Sequence, residues 1–109
     1  MDQDLLTSIS ASEFDRVTFD SSIPSLVFFG AERCHVCKEL LPTVEETLSN
    51  YKGKINGFWV DVDQNKPLFQ RFRLKGIPNL LLISQGEVKY KFGGLSTKEE
   101  LMEKINQFI

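Results

Sequence analysis

The chain has little histidine and cysteine, the residues that zinc sites and thiol redox sites use most. It contains one histidine and two cysteines, and all three lie in the segment Cys34-His35-Val36-Cys37. A structural zinc site needs about four ligands, so this segment supplies at most half of one. We therefore expect no metal and no other cofactor, and any redox chemistry of thiols must take place in this segment.

The chain also lacks an excess of positive charge and a long apolar run. The formal net charge is -2, whereas proteins that bind nucleic acid or anionic membranes carry clustered positive charge. No apolar run approaches the roughly 20 residues of a membrane span, and the start Met1-Asp2-Gln3-Asp4 is acidic where a secretory signal is basic. We expect a cytoplasmic protein with no nucleic acid and no membrane among its partners.

The length and composition are those of one globular domain. Hydrophobic residues make up 41% of the 109 residues, and nine of them are phenylalanine. A chain of this size can bury one core but has no room for a second independent one. We therefore predict a single domain over residues 1–109.

Strand and helix patterns alternate in the first part of the chain. The first predicted elements are an edge strand within residues 5–9 and a helix through Phe14 and Val17, which Ser10 or Ser12 would cap. A strand over 26–29, buried on both faces, comes next. It is followed by a helix over 34–53, which is bent at Pro42 and ends at Gly53, and by a strand over 55–62. Strands joined through helices favour parallel pairing.

The pattern changes in the second part of the chain. A helix begun by Asn65 and Pro67 is predicted first. A buried strand over 80–83, a tight turn at Gln85-Gly86 and an alternating strand over 88–92 follow it. The last predicted helix has Ser96 and Glu99 as its capping box, and its inner face carries Leu101, Ile105 and Phe108. The last two strands should form an antiparallel hairpin.

The spacing of Cys34 and Cys37 is the strongest functional signal. A thiolate attacks disulfides, but free cysteine, with a pKa of about 8.5, is mostly protonated at neutral pH. Cys34 begins a predicted helix, where unpaired N–H groups and the positive end of the helix dipole stabilise an anion. His35, Arg33 and Lys38 would add positive charge nearby. Cys34 could then attack a partner disulfide, and Cys37 could resolve the mixed disulfide.

Other interpretations of the same segment stay open at this point. Two cysteines with a histidine between them could be half of a zinc site, and a CxxC sequence can occur without any redox role. His35 alone is the kind of residue that is usually found on a surface. The position of the motif between a buried strand and a helix favours the redox interpretation.

Several further motifs occur in a fixed order, and with them the chain resembles the thioredoxin family over nearly its whole length. These motifs are the CxxC, Pro42 inside the following helix, Gly76-Ile77-Pro78, the Gly86 turn, Gly93, and the stretches Asp61-Val62-Asp63-Gln64-Asn65 and Lys75-Gly76-Ile77-Pro78-Asn79-Leu80-Leu81-Leu82. The resemblance implies an α/β thioredoxin fold, with a central mixed sheet of about five strands flanked by about four helices.

The resemblance also implies the parts of a substrate site. It places the cysteines at the C-terminal end of a central strand, with Cys34 exposed and Cys37 partly buried, joined as a disulfide in the oxidised form. It implies a cis bond between Ile77 and Pro78, and a backbone at Ile77 that pairs with an extended substrate. The residues that would shape a shallow apolar groove are Gly30, Val36, Pro78 and Gly93. The partners it implies are disulfide-containing proteins or small disulfides, with a thioredoxin-reductase-like electron donor.

Several positions depart from the family pattern. Arg33 stands in place of a tryptophan, and His35-Val36 replaces the usual Gly-Pro pair between the cysteines. Gly30 replaces a second aromatic residue, Phe28 replaces a buried aspartate, and Trp59 replaces its lysine partner. Because the aspartate and the lysine are both replaced, no unpaired charge is left buried in the core.

These departures affect the proton of Cys37 and the redox potential. Without a buried base, deprotonation of Cys37 falls to water, His35 or Glu32. A positively charged His35 would stabilise the reduced thiolate and so make the couple more oxidising than thioredoxin, whose potential is about -270 mV.

We predict a thiol-disulfide oxidoreductase in which Cys34 is the nucleophile and Cys37 the resolving cysteine. Two other functions would use the same fold. One is a binding or adaptor module whose thiols are incidental, and the other is a dithiol redox sensor with a dedicated partner.

Overall fold

The computed structural model describes residues 5–109, so the acidic start Met1-Asp2-Gln3-Asp4 lies outside the described residues. The strands are β1 (Thr7–Ser8), β2 (Ser25–Gly30), β3 (Asn56–Asp61), β4 (Asn79–Ser84) and β5 (Glu87–Gly93). The helices are α1 (Phe14–Val17), α2 (His35–Ser49), α3 (Lys66–Arg71) and α4 (Lys98–Phe108). The predicted α/β architecture, with five strands and four helices, is confirmed. None of these helices is long and apolar enough to cross a membrane.

The strands form one mixed sheet in the order β1-β3-β2-β4-β5. Strands β1 and β2 both run parallel to β3, as the helical connections between them predict. Strand β4 runs antiparallel to β2, and β5 pairs with β4 as the predicted antiparallel hairpin. The tight turn of that hairpin has positive φ at both Gln85 and Gly86, which is the backbone of a two-residue hairpin loop.

Strand β2 lies in the middle of the sheet and is buried at every residue. Side chains alternate along a strand, so β2 contributes to two separate cores. Val27 and Phe29 pack with Phe14 of α1 and the α3 region. The other face belongs to the core beneath α2 and α4. This double burial explains why the strand has no polar alternation in sequence.

Two predicted helix caps are wrong. Glu13, not Ser10 or Ser12, precedes α1 and makes no side-chain cap; its carboxylate instead accepts the Ser10 N–H at 2.9 Å. The capping box of α4 is formed by Thr97 and not by Ser96, one residue later than predicted. The Thr97 Oγ1 accepts the N–H of Glu100 at 3.1 Å, and the Glu100 carboxylate accepts the N–H of Thr97 at 2.8 Å.

Helix α2 runs through Pro42 and ends earlier than predicted. Its last helical residue is Ser49, and Asn50 follows as the cap. Gly53 lies in the turn beyond, where its φ of +79° suits glycine. The start of the helix, which positions the cysteines, lies where the sequence predicts it.

Candidate active site

The cysteine motif lies where the central strand β2 passes into α2. After Gly30 the chain turns, and the Cys34 N–H donates to the carbonyl of Ala31 at 3.1 Å. Cys34 is the N-cap of α2, and its Sγ accepts the backbone N–H of Cys37 at 3.1 Å. Sulfur therefore takes the capping position that an oxygen usually occupies, so the free N–H groups of the helix end face this atom.

Cys34 and Cys37 are joined as a disulfide, with 5.3 Å between their Cα atoms. Cys34 is half-buried, whereas only 2% of the Cys37 surface is exposed. An external thiol or thiolate can therefore reach the Sγ of Cys34 more readily than the Sγ of Cys37. Disulfide exchange depends on which sulfur is accessible, so the site has one outer and one inner sulfur.

The side chain of Arg33 points to Asp63, a residue of the family-like stretch Asp61-Val62-Asp63-Gln64-Asn65 for which no role in the site was predicted. The Arg33 Nε donates to Asp63 Oδ2 and the Nη2 to Oδ1, both at 2.9 Å. This hydrogen-bonded pair raises the pKa of Arg33 above its usual range and lowers the pKa of the Asp63 carboxyl below its usual range. The sequence did contain a signal for this contact. Arg33 follows β2 and Asp63 follows β3, and the C-terminal ends of these parallel strands meet at one edge of the sheet.

An aromatic pair stands behind the disulfide. The rings of Phe28 on β2 and Trp59 on β3 meet edge to face, with 5.1 Å between their centroids. Phe28 and Cys37 belong to the same core, and the partly buried Trp59 packs against it. Within residues 5–109 no Asp, Glu, Lys, Arg or His side chain is buried. Among the described residues, the interior beside Cys37 therefore offers no charged group as a proton acceptor.

The predicted groove residues fall into two groups. Val36 and Gly93 are exposed, whereas Gly30 and Pro78 are buried. The peptide bond from Ile77 to Pro78 is cis, as the family resemblance implies. Ile77 is half-buried and packs, like Cys34, against both cores. Its backbone N–H and carbonyl make no hydrogen bond within residues 5–109.

A cavity of about 410 Å³ adjoins this loop. Arg33 and Asp63 form part of its wall, and Ile77, Phe69 and Lys66 form another part. The cavity thus joins the residue before Cys34 to the residue before the cis proline. Phe69 and Lys66 were not predicted as site residues, because nothing in their local sequence indicates that α3 faces the motif.

Glu32 and His35 are both exposed beside the cysteines. Neither side chain makes a hydrogen bond or ion pair with another described residue. In the described part of the chain, no group of three or more His, Cys, Asp or Glu residues is placed to hold a metal ion.

Comparison with known proteins agrees with this geometry. The Thioredoxin family model matches residues 6–107. The chain is 31% identical to a thioredoxin of Rickettsia felis over 105 residues, which cover 96% of this chain and 100% of the relative. It is 35% identical to a thioredoxin of Haemophilus influenzae over 101 residues, covering 93% and 94% of the two chains. The chain therefore belongs to the thioredoxin family of thiol-disulfide oxidoreductases.

Proposed function

We propose that this protein exchanges disulfides with protein or small-molecule partners, with Cys34 as the nucleophile and Cys37 as the resolving cysteine. The observation that carries the proposal is the unequal exposure of the two sulfurs at the N-terminus of α2. Cys34 is half-buried, and its Sγ already accepts a helix N–H. Cys37 is almost completely buried.

In the reducing direction, the Cys34 thiolate attacks one sulfur of a substrate disulfide. A bond forms between Cys34 Sγ and that sulfur, the substrate disulfide breaks, and the other substrate sulfur leaves as a thiolate. Cys37, once deprotonated, attacks Cys34 Sγ and releases the second substrate thiolate. Two electrons pass from the protein dithiol to the substrate. The exposed His35 and Glu32 are the side chains proposed to tune the potential or to take the Cys37 proton with water.

A substrate segment would lie along the loop that contains Ile77. The unpaired backbone N–H and carbonyl of Ile77 can hydrogen-bond with an extended chain in the manner of an added strand. Val36 and Gly93 would flank that segment on the exposed side, and the buried Pro78 and Gly30 would support them from below. Arg33 would contact the substrate from the cavity beside Cys34.

The cycle needs an external source of electrons. We propose a thioredoxin-reductase-like donor and a cytoplasmic location, because glutathione and thioredoxin systems keep dithiols reduced in that compartment. The equilibrium constant of the Cys34/Cys37 pair with glutathione gives the direction of electron flow, since about 30 mV corresponds to a tenfold change for this two-electron couple.

Replacement of each cysteine tests the assignment of roles. We expect Cys34→Ser to abolish the reduction of a protein disulfide such as that of insulin. We expect Cys37→Ser to accumulate a covalent mixed disulfide through Cys34, detectable by mass spectrometry and removed by dithiothreitol. A wild type with no more disulfide exchange than Cys34→Ser would contradict an oxidoreductase function.

An adaptor function is the second candidate, and the aromatic pair behind Cys37 favours it, since no buried charged base assists the resolving step. The rate of Cys34 alkylation as a function of pH separates the two functions. An oxidoreductase requires a Cys34 thiolate well below the pH of about 8.5 at which free cysteine ionises. Titration like that of free cysteine would favour the adaptor.

A further inference from the structure

We propose that Trp59 is a positioning residue of the redox pair. Its indole closes the space behind Cys37 and so restricts attack by external thiols to Cys34. This inference rests on the proposed disulfide exchange, and it adds a structural cause for the unequal accessibility of the two sulfurs to external thiols. It concerns the chain's only tryptophan.

Strand register brings Trp59 to the motif. Phe28 of β2 is paired with Trp59 of the parallel strand β3, and Gly30 is paired with Asp61. Side chains two residues apart share one face of a sheet, so residues 28, 30 and 59 all face α2. The indole therefore lies on the same side of the sheet as Cys37.

Gly30 leaves the space that the indole and the sulfur occupy. A Cβ at residue 30 would lie 2.7 Å from Cη2 of Trp59, 2.8 Å from its Cζ3 and 3.0 Å from Sγ of Cys37. Carbon atoms in contact are normally about 3.5 to 4.0 Å apart, so no larger residue fits without displacing one of these groups. A glycine here thus leaves room for both the indole and the inner sulfur.

The other end of Trp59 reaches the surface. The residue is half-buried and lines an outer cavity of about 280 Å³ together with Leu6, Leu41 and Glu45. The indole thus stands between an open cavity and a nearly buried sulfur. A shorter side chain at position 59 would connect that cavity with Cys37.

The sulfur that is attacked determines the product. When an external thiolate attacks Cys34 Sγ, a new bond forms between those two sulfurs, the Cys34–Cys37 bond breaks, and Cys37 leaves with the electron pair and takes a proton from water. Attack at Cys37 would instead place the adduct on the inner sulfur and release Cys34. The position of the adduct therefore reports how well Cys37 is covered.

The test is to map this adduct in oxidised protein. Wild type, Trp59→Leu, Trp59→Phe and Gly30→Ala are treated briefly with 2-mercaptoethanol, quenched in acid, alkylated under denaturing conditions and analysed by peptide mass spectrometry. Phe58→Leu is the matched control, because Phe58 is an aromatic residue of the same strand that belongs to the opposite core. Circular dichroism checks that each variant is folded.

We expect the wild-type adduct on Cys34 and an increase of about tenfold in the fraction on Cys37 for Trp59→Leu, since access governs which sulfur reacts. Gly30→Ala should change the distribution in the same direction by pushing on the indole or the sulfur. Trp59→Phe should restore most of the selectivity, and Phe58→Leu should resemble wild type.

The inference is overturned if Trp59→Leu and Gly30→Ala both keep the wild-type distribution, or if Phe58→Leu shows an equal increase. If Trp59→Leu does not fold, Gly30→Ala alone decides between these outcomes. A wild type that reduces insulin no faster than Cys34→Ser would instead overturn the proposed function, so the two failures are distinguishable.

Discussion

At the scale of single residues, the positive charge of Arg33, the residue before Cys34, is already paired with a carboxylate. Arg33 precedes Cys34 in the chain, yet its guanidinium forms two hydrogen bonds with the Asp63 carboxylate. An opposite charge at this distance offsets much of the field that Arg33 would exert at Cys34. We therefore expect Asp63 to limit how far Arg33 stabilises a Cys34 thiolate.

Asp63→Asn should increase the reactivity of Cys34. Without the carboxylate, the guanidinium keeps its full charge beside the motif, and we expect the alkylation of Cys34 by iodoacetamide at pH 6.5 to become about two to three times faster. The increase should shrink in 0.5 M salt, because the pair is exposed and salt screens such charges. Arg33→Gln combined with Asp63→Asn should return the rate to the wild-type value, and an equal increase in that double variant would contradict the explanation.

The cysteines of the site are evident from sequence, but their surroundings are not. The two-residue spacing of Cys34 and Cys37 and their place before a helix are local features. The contacts of Asp63 with Arg33 and of Trp59 with the Gly30 space depend on the register between β2 and β3. Register is a property of the folded sheet, so the sequence showed Gly30, Arg33 and Trp59 as departures from the family pattern without showing what they touch.

At the scale of elements, the choice of helix cap can be tested within adjacent residues. Thr97→Ala should lower the free energy of unfolding by about 1 kcal/mol, because it removes the side chain that accepts the Glu100 N–H. Ser96→Ala is the control and should change stability little. Urea denaturation followed by circular dichroism measures both, and a larger loss for Ser96→Ala would show that α4 begins one residue earlier.

Element types were predictable here, and element ends were not. Leu101 and Ile105 indicate the buried face of α4 whichever residue begins the helix. The sequence contains two Ser/Thr-x-x-Glu patterns in adjacent registers, at Ser96 and at Thr97. Only the folded chain selects between them, because both satisfy the same local rule.

At the scale of the whole molecule, two cores meet at the redox motif. Cys34 and Ile77 pack against both of them, so the site lies where the central strand ends and the two layers join. The antiparallel pairing of β4 with β2 places the Ile77-Pro78 loop at this edge. Sequence patterns predicted the hairpin of β4 and β5, but pairing between strands so distant in the chain leaves no local periodicity.

Tyr51 links the end of α2 to α4 and should make stability fall at alkaline pH. Its hydroxyl donates to Asn106 Oδ1 at 2.7 Å, and burial raises the pKa of the phenol above its usual 10.0. The unfolded chain then ionises first, so this stabilisation is complete below pH 10 and is lost as pH rises towards the raised folded value.

Tyr51→Phe is the variant for this test. At neutral pH it should cost about 1 kcal/mol for the lost hydrogen bond. Above pH 10 the difference from wild type should narrow, as measured by urea denaturation with the disulfide intact. A difference that stays constant from pH 7 to pH 11 would contradict a raised phenol pKa.

The position of Trp59 has an optical consequence. The chain has one indole, and it lies beside the redox sulfurs rather than in a remote part of the core. All tryptophan emission from this protein therefore originates at the site, without an added dye and without a second indole to subtract. The opening and closing of the disulfide, and the binding of a partner over it, take place close to this one indole.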